Sequence, residues 1–227
     1  MTNQIETEVR RRRSQADRSA ETRARLLKAT IDLLIERGYA RLSTNDVAAR
    51  VGLSRGAQVH HFPLKSDLVT AAIEDLLRQY AEFLAERLKN LPEGRAGIQI
   101  AAETLFDIYS SPLHDAYQEL HVAARTDPEL RRSEGAMLTA VVWPTLDLFA
   151  EALAGPVVHD DQALLERIAA AVTLIRGLAE VRGDRGKDWR ERQIALVVEW
   201  LEPVVLEARA RAACTRNTPK GKRGGPG

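Results

Sequence analysis

The sequence predicts an all-α protein, and three observations lead to that class. Apolar residues recur at helical spacing along most of the chain, while no stretch alternates convincingly between apolar and polar residues. Glycines, prolines and Ser-Pro or Asp-Pro pairs divide this pattern into segments of helical length. The 227 residues are also enough to bury a substantial core in one or two domains.

The net charge of +1 conceals an uneven distribution of charge along the chain. Residues 1–65 contain 13 Lys/Arg and 7 Asp/Glu, residues 66–208 contain 14 and 25, and residues 209–227 contain 6 and none. A basic N-terminal segment on an acidic body indicates that this segment binds a polyanion.

The sequence lacks a membrane-spanning run, an export signal and a pair of cysteines. The longest nearly apolar run, residues 168–175, is too short to span a membrane, and a single cysteine, Cys214, excludes an internal disulfide. The polar, basic N-terminus carries no export signal. We therefore expect a cytoplasmic protein with no membrane partner.

The chain is predicted to begin with a disordered basic arm, residues 1–18, followed by a helix over residues 19–37. The arm has little apolar content and contains four consecutive arginines at 10–13. It could contact DNA phosphates, or it could be only a solubilising tail. The helix ends at Gly38 and buries a stripe formed by Leu27, Ile31, Leu34 and Ile35.

Residues 43–65, STNDVAARVGLSRGAQVHHFPLK, predict two short helices joined by a tight turn. Ser43 and Asp46 supply a capping box for the first helix. Gly52 suits the left-handed position after that helix, and Ser54 caps the second helix. A helix, a glycine-bearing turn and a second helix with outward polar side chains are typical of a helix-turn-helix DNA-binding motif.

The ordered set of the serine cap, VGLS, RGA, HHF and Lys65 resembles the TetR family of transcriptional regulators, at motif level over residues 22–77. The resemblance implies a three-helix DNA-binding head over 19–65 and a helical effector-binding and dimerisation domain over 66–210. A disordered basic tail, 211–227, is expected to follow. The implied function is that of a ligand-responsive repressor, which binds a palindromic double-stranded DNA operator as a homodimer.

The resemblance places the second helix of the motif in the major groove. Arg55 is the candidate for a guanine contact, and Gln58 for an adenine contact if it faces outward. The chain departs from the family pattern here, because Gln58 stands where a core leucine is usual and Val59 where a phosphate-binding tyrosine is common. Gln58 is therefore either a buried amide or a base reader, and we favour the reader. Thr44 and Lys65 are expected to anchor phosphates. The predicted DNA-binding residues are Thr44, Arg55, Gly56, Ala57, Gln58, His60, His61 and Lys65.

Beyond the motif the chain predicts a long helix over 65–91 and five further helices over 96–110, 111–126, 127–155, 161–182 and 188–210. Pro144 predicts a kink in the third of these five. The helix over 161–182 contains IAAAVTLI, which is apolar on nearly every side and needs cover on all of them. We expect this helix and the last one to form a four-helix dimer interface, with a central position in a monomer as the alternative.

Large aromatic side chains are spread over four consecutive helices of the body, and such side chains can line a small-molecule pocket. For any single one of them, ordinary core packing is the alternative. The resemblance implies a pocket here for a small apolar or aromatic effector of unnamed identity. The predicted ligand-binding residues are Tyr80, Phe83, Phe106, Tyr109, Tyr117, His121, Trp143 and Phe149.

Two other functions stay open. One is a DNA-binding regulator without a small-molecule effector, or an activator. The other is an all-α metal-dependent enzyme using His114 and His121, which lie seven residues apart on one helix face. The sequence contains no HExxH motif, no cysteine cluster and no glycine-rich phosphate loop, so we predict no enzymatic activity, no metal and no cofactor.

Overall fold

The computed structural model describes residues 2–155, 161–181, 186 and 188–217. Over these residues the chain is helical and contains no strand, which confirms the predicted all-α class. A π-helical turn, Leu138–Val142, joins the seventh helix to the eighth. The helices are α1 Thr2–Arg41, α2 Thr44–Arg50, α3 Arg55–His61, α4 Lys65–Leu88, α5 Arg95–Tyr109, α6 Pro112–Ala124, α7 Pro128–Met137, α8 Trp143–Ala154, α9 Gln162–Ala179 and α10 Trp189–Asn217.

These helices belong to two compact units. The first unit comprises Met1–Gln79 and Pro112–Val141, and the second comprises Tyr80–Ser111 and Val142–Gly227. The division differs from the predicted boundary between residues 65 and 66, because α6 packs along α1 and α7 packs on α6. Helix α4 contributes its first 15 residues to one unit and the rest to the other.

The C-terminal end of α1 agrees with the prediction, whereas its N-terminal end does not. The helix is interrupted at Gly38, whose φ of 72° and ψ of 168° are not helical, as its position after the apolar stripe predicts. At the other end the helix begins at Thr2, so the structure differs from the predicted disordered arm. Residues 2–18 include five Arg, two Glu and two Gln, and these good helix formers extend an existing helix without a new nucleus.

The structure also differs from the predicted disordered tail at the C-terminal end of the sequence. Helix α10 continues to Asn217, so residues 211–217 of the predicted disordered tail are helical. The rest of that tail, residues 218–227, lies outside the described residues.

Pro144 produces the irregularity that its position predicts. A proline has no N–H, and its ring clashes with the carbonyl four residues earlier in a regular helix. The π-helical turn Leu138–Val142 lies directly before Trp143 and Pro144 and alters the hydrogen-bond register there. The predicted helix over 127–155 is therefore two α-helices, α7 and α8.

Among the described residues, one helical stretch, 128–154, is long and apolar enough to cross a membrane, by length and composition only. This is weak evidence for a membrane segment, because Phe149, Ala150 and Leu153 of this stretch belong to the buried core of the second unit. That core also contains Ile168 and Ile175 of α9. The absence of a membrane partner stays a prediction.

Candidate nucleic-acid interface

Helices α2 and α3 form the helix-turn-helix that the sequence predicts. The Oγ of Ser43 accepts the backbone N–H of Asp46 at 3.2 Å, and the Oγ of Ser54 accepts that of Ala57 at 3.3 Å. Gly52 takes the left-handed conformation with φ of 70°. The predicted caps and turn are confirmed. The carboxylate of Asp46, however, accepts the hydroxyl of Ser43 at 2.7 Å instead of reaching back to a backbone N–H.

Three arginine contacts hold these two helices on α1. Arg25 donates to the carbonyl of Val51 at the end of α2, at 2.6 Å. Arg50 of α2 donates both guanidinium nitrogens to the carboxylate of Glu36, at 2.6 and 2.8 Å, and this hydrogen bonding lowers the pKa of Glu36. The guanidinium of Arg23 lies 5.3 Å from the ring centre of Phe62, which follows α3. The motif is thereby fixed to one long helix.

Helix α3 has one face buried and one exposed. Gln58 and Phe62, four residues apart, are buried against the rest of the head. The opposite face consists of the exposed residues Arg55, Gly56, Val59 and His60, and we call it the exposed face of α3. Ala57 and His61, also predicted to bind DNA, are half-buried at its edges.

The preferred role of Gln58 as an adenine reader is wrong. Its side chain is fully buried, and Nε2 donates to the carbonyl of Phe62 at 2.7 Å. Within the described part of the chain, its Oε1 has no hydrogen-bond partner. The hydrogen bond to Phe62 offsets part of the cost of burying the amide. The signal was present in the sequence, because Gln58 occupies the position where the family places a core leucine.

The two predicted phosphate anchors lie at helix N-termini. Thr44 is the half-buried first residue of α2. Lys65 is the first residue of α4, where its Nζ donates to the carbonyl of Tyr39 at 2.6 Å and lies 4.0 Å from the Tyr39 ring centre. Burial lowers the pKa of Lys65. One of the three ammonium donors is therefore committed to Tyr39, and phosphate binding by Lys65 stays a prediction.

The contact between Tyr39 and α6 is not predicted by the sequence. The carboxylate of Glu119 accepts the backbone N–H of Tyr39 at 2.8 Å. A Cβ atom at Gly38 would lie only 2.8 Å from Oε2 of Glu119, so the contact requires the glycine. We call the linked groups of Glu119, Tyr39 and Lys65 the Tyr39 bridge. Gly38 marks the end of a helix in the sequence but does not identify Glu119, 80 residues beyond Tyr39, as the partner of Tyr39.

An open groove of about 830 Å³ lies beside Tyr39 in the first unit. None of the eight predicted ligand-binding residues lines it. Its lining is formed by Tyr39, Ala40, Glu119, Val122, Ala123, Arg125, Thr126, Asp127 and Pro128.

Six of the eight predicted ligand-binding residues belong to the second unit, in different environments. Phe106 and Phe149 are core residues, and the ring of Phe106 meets that of Trp189 edge to face at 6.4 Å. The remaining four lie nearer the surface. Tyr80 and Tyr109 are half-buried, and the Tyr80 hydroxyl lies 2.7 Å from Oγ of Ser111. Phe83 and Trp143 are more than half exposed.

Tyr117 and His121, the other two predicted ligand-binding residues, lie on α6 in the first unit. Their rings stack at 6.5 Å, and Nδ1 of His121 lies 2.5 Å from Oε1 of Glu134 on α7. The structure thus brings Tyr117 to His121, while a pocket formed by all eight residues stays a prediction.

The geometry of α6 does not support the metal-enzyme alternative. The ring of Tyr117 contacts the imidazoles of both His114 and His121, at 5.9 and 6.5 Å. His121 is paired with Glu134 instead of converging with His114 on one point. In the ranges that the structure describes, no group of three or more His, Cys, Asp or Glu side chains could hold a metal ion.

Comparisons with known proteins agree with this helix-turn-helix. Residues 26–72 match the model for "Bacterial regulatory proteins, tetR family". The HTH-type transcriptional regulator Rv2912c of Mycobacterium tuberculosis (strain ATCC 25618 / H37Rv) is 34% identical over 171 residues, covering 75% of this chain and 87% of that protein. The HTH-type transcriptional regulator CymR of Pseudomonas putida is 38% identical over 121 residues, covering 53% of this chain and 60% of that protein.

Solved structures share the fold. A transcriptional regulator from Pseudomonas aeruginosa PAO1 has a TM-score of 0.64 at 19% identity, covering 85% of this chain and 94% of that chain. A transcriptional regulator from Saccharomonospora viridis in complex with choline has a TM-score of 0.63 at 20% identity, covering 81% of this chain and 96% of that chain. With the helix-turn-helix and the coverage of Rv2912c, these findings show that the chain belongs to the TetR family of DNA-binding transcriptional regulators.

Proposed function

We propose that this regulator is a ligand-responsive repressor that binds a palindromic operator as a homodimer. The exposed face of α3 is the observation that carries the proposal. It presents the guanidinium of Arg55 and the imidazole of His60 to solvent, while Gln58 and Phe62 fix the opposite face in the head. A short helix held in this way can enter the major groove and offer hydrogen-bond donors to base edges.

The distribution of charge supports the same role. The segment 1–65, which contains the helix-turn-helix, carries 13 Lys/Arg against 7 Asp/Glu. Four of these arginines, at 10–13, lie on the N-terminal turns of α1. A basic head of this kind attracts the phosphate backbone and makes binding depend on salt concentration.

Exposed apolar side chains on α9 and α10 support the homodimer. On α9, Leu174 is 48% exposed, and three small residues are exposed along the same side, Ala170 and Gly177 one turn away and Ala163 three turns away. On α10, Leu196 and Trp200 are 60% and 45% exposed. Both helices bury their other faces in the second unit. A second copy meeting this face about a two-fold axis would cover it, and the small residues would allow close helix approach.

The ligand response has two supports. The relative from Saccharomonospora viridis binds choline, which is a small organic molecule. Within the first unit, the Tyr39 bridge connects Glu119 of α6 to Lys65 at the start of α4. An effector that favours one position of α6 would strengthen or weaken this bridge. To release DNA, the effector must prefer the non-binding state, since equal affinity for both states shifts nothing.

A mobility-shift assay on the DNA upstream of the protein's own coding region tests the proposal. We expect one complex of two chains per palindrome and its release by a member of a panel of small apolar, aromatic and quaternary-ammonium compounds. Arg55→Ala, checked for helicity, should lose operator preference but retain salt-sensitive binding. Binding without sequence preference would contradict the proposal. A complex that no compound releases would favour an effector-independent regulator, and increased transcription from the bound promoter would favour an activator.

A further inference from the structure

Val59 is the apolar side chain of an otherwise polar or bare surface. It lies on the exposed face of α3 and is 42% exposed. By helical spacing it is adjacent to Arg55, four residues earlier, and to Gly56, three residues earlier. Single exposed apolar residues are ordinary on protein surfaces. This one, however, occupies the middle of the helix face that the proposed function directs at DNA.

Gly56 leaves a shallow depression beside Val59 because it has no side chain. The fold does not require a glycine at this position. Its φ is not positive, unlike that of Gly52, and a Cβ atom added at Gly56 would meet nothing within 4 Å. Glycine inside a helix costs about 0.5–1 kcal/mol relative to alanine. The intramolecular contacts of α3 therefore give no reason for glycine here, whereas close approach of an external surface does.

The major groove offers one apolar group, the C5-methyl of thymine, and apolar side chains are its usual partners. Valine can donate no hydrogen bond to a phosphate or to a base edge. We propose that Val59, beside the depression left by Gly56, packs against the C5-methyl of one thymine in each operator half-site and so determines base preference there. This inference rests on the proposed entry of α3 into the major groove.

The position of the thymine follows from Arg55. Arg55 and Val59 are separated by about one helical turn, close to 6 Å, and successive bases rise about 3.4 Å. If Arg55 contacts a guanine, the thymine should therefore lie within about two base pairs of it. The half-site is then expected to contain a guanine and a thymine in this fixed relation.

Deoxyuridine substitution tests the inference, because it removes only the C5-methyl group. The operator is first selected from a random duplex library with the 227-residue chain, and each thymine is then replaced singly by deoxyuridine. We expect that deoxyuridine at one position per half-site weakens wild-type binding about fourfold, and about fifteenfold when both half-sites are changed. A loss of about fourfold corresponds to the free energy of burying one methyl group. Val59→Ala should bind the thymine and deoxyuridine operators equally. Val122→Ala, which truncates an exposed valine on α6, is the matched control and should keep the wild-type difference.

Gly56→Ala gives an independent readout. The added methyl group should raise the melting temperature of the head and at the same time weaken operator binding, because it fills the depression. Equal binding of thymine and deoxyuridine operators by the wild type, or an unchanged difference in Val59→Ala, would overturn the inference and leave the proposed function intact. Failure to select any operator would overturn both.

Discussion

Replacing Gln58 by leucine should stabilise the protein without changing its operator preference. The substitution removes the hydrogen bond from Nε2 to the carbonyl of Phe62, at a cost of about 0.5–1.5 kcal/mol. It also removes the buried Oε1, which has no hydrogen-bond partner among the described residues and costs about 1–3 kcal/mol. Leucine has a similar volume, so little strain or cavity is added. The net effect is about 1 kcal/mol of stabilisation, or about 2–4 °C in melting temperature for a chain of this size.

Thermal melts and binding to single-substitution operators together measure this effect. Gln99→Leu, at an exposed glutamine on α5, is the matched control and should change the free energy of unfolding by less than about 0.5 kcal/mol. Gln58→Glu should destabilise the head strongly, because it buries a charge. Relaxed base discrimination at one position per half-site in Gln58→Leu, together with an unchanged melting temperature, would contradict a buried, non-reading Gln58.

Three further predictions concern the dimer, the Tyr39 bridge and the phosphate contacts. Leu174→Glu should give a folded monomer in sedimentation. Ala171→Glu, at a fully buried position on the same helix, should instead unfold the second unit. A folded dimer of Leu174→Glu would exclude the proposed dimer face. Glu119→Ala should lower the free energy of unfolding by about 1 kcal/mol in denaturant titration through loss of a charge-assisted hydrogen bond, and an unchanged midpoint would contradict the role of the bridge. Lys65→Ala should weaken binding to all DNA sequences equally and reduce the salt slope by about 0.9 per lost phosphate contact, whereas altered base preference would show that Lys65 reads sequence.

The features that the sequence predicted well depend on near neighbours in the chain. Ser43 and Ser54 cap helices through N–H groups three residues away, and Gly52 provides a left-handed turn that the local backbone dictates. A polar residue in a DNA-binding helix suggests a base reader, and for the buried Gln58 this expectation is wrong. The spacing of four residues to Phe62 nevertheless placed both side chains on one face.

The features that could not be predicted depend on distant pairs. No local pattern connects Tyr39 with Glu119, because their contact requires α6 to pack along α1. The same holds for the aromatic residues of the body. Their spacing shows that each lies on a helix, but whether Phe106 enters the core and Phe83 faces solvent depends on which helices cover them.

The close approach of Glu119 to Gly38 also constrains how this sequence can change over evolutionary time. A side chain at position 38 would meet two obstacles, a left-handed backbone and a carboxylate oxygen 2.8 Å from its Cβ atom. Shortening residue 119 first removes the second obstacle and leaves only the first. Mutational paths that change position 119 before position 38 are therefore easier than the reverse order. We therefore expect positions 38 and 119, which are 81 residues apart, to vary together among homologues.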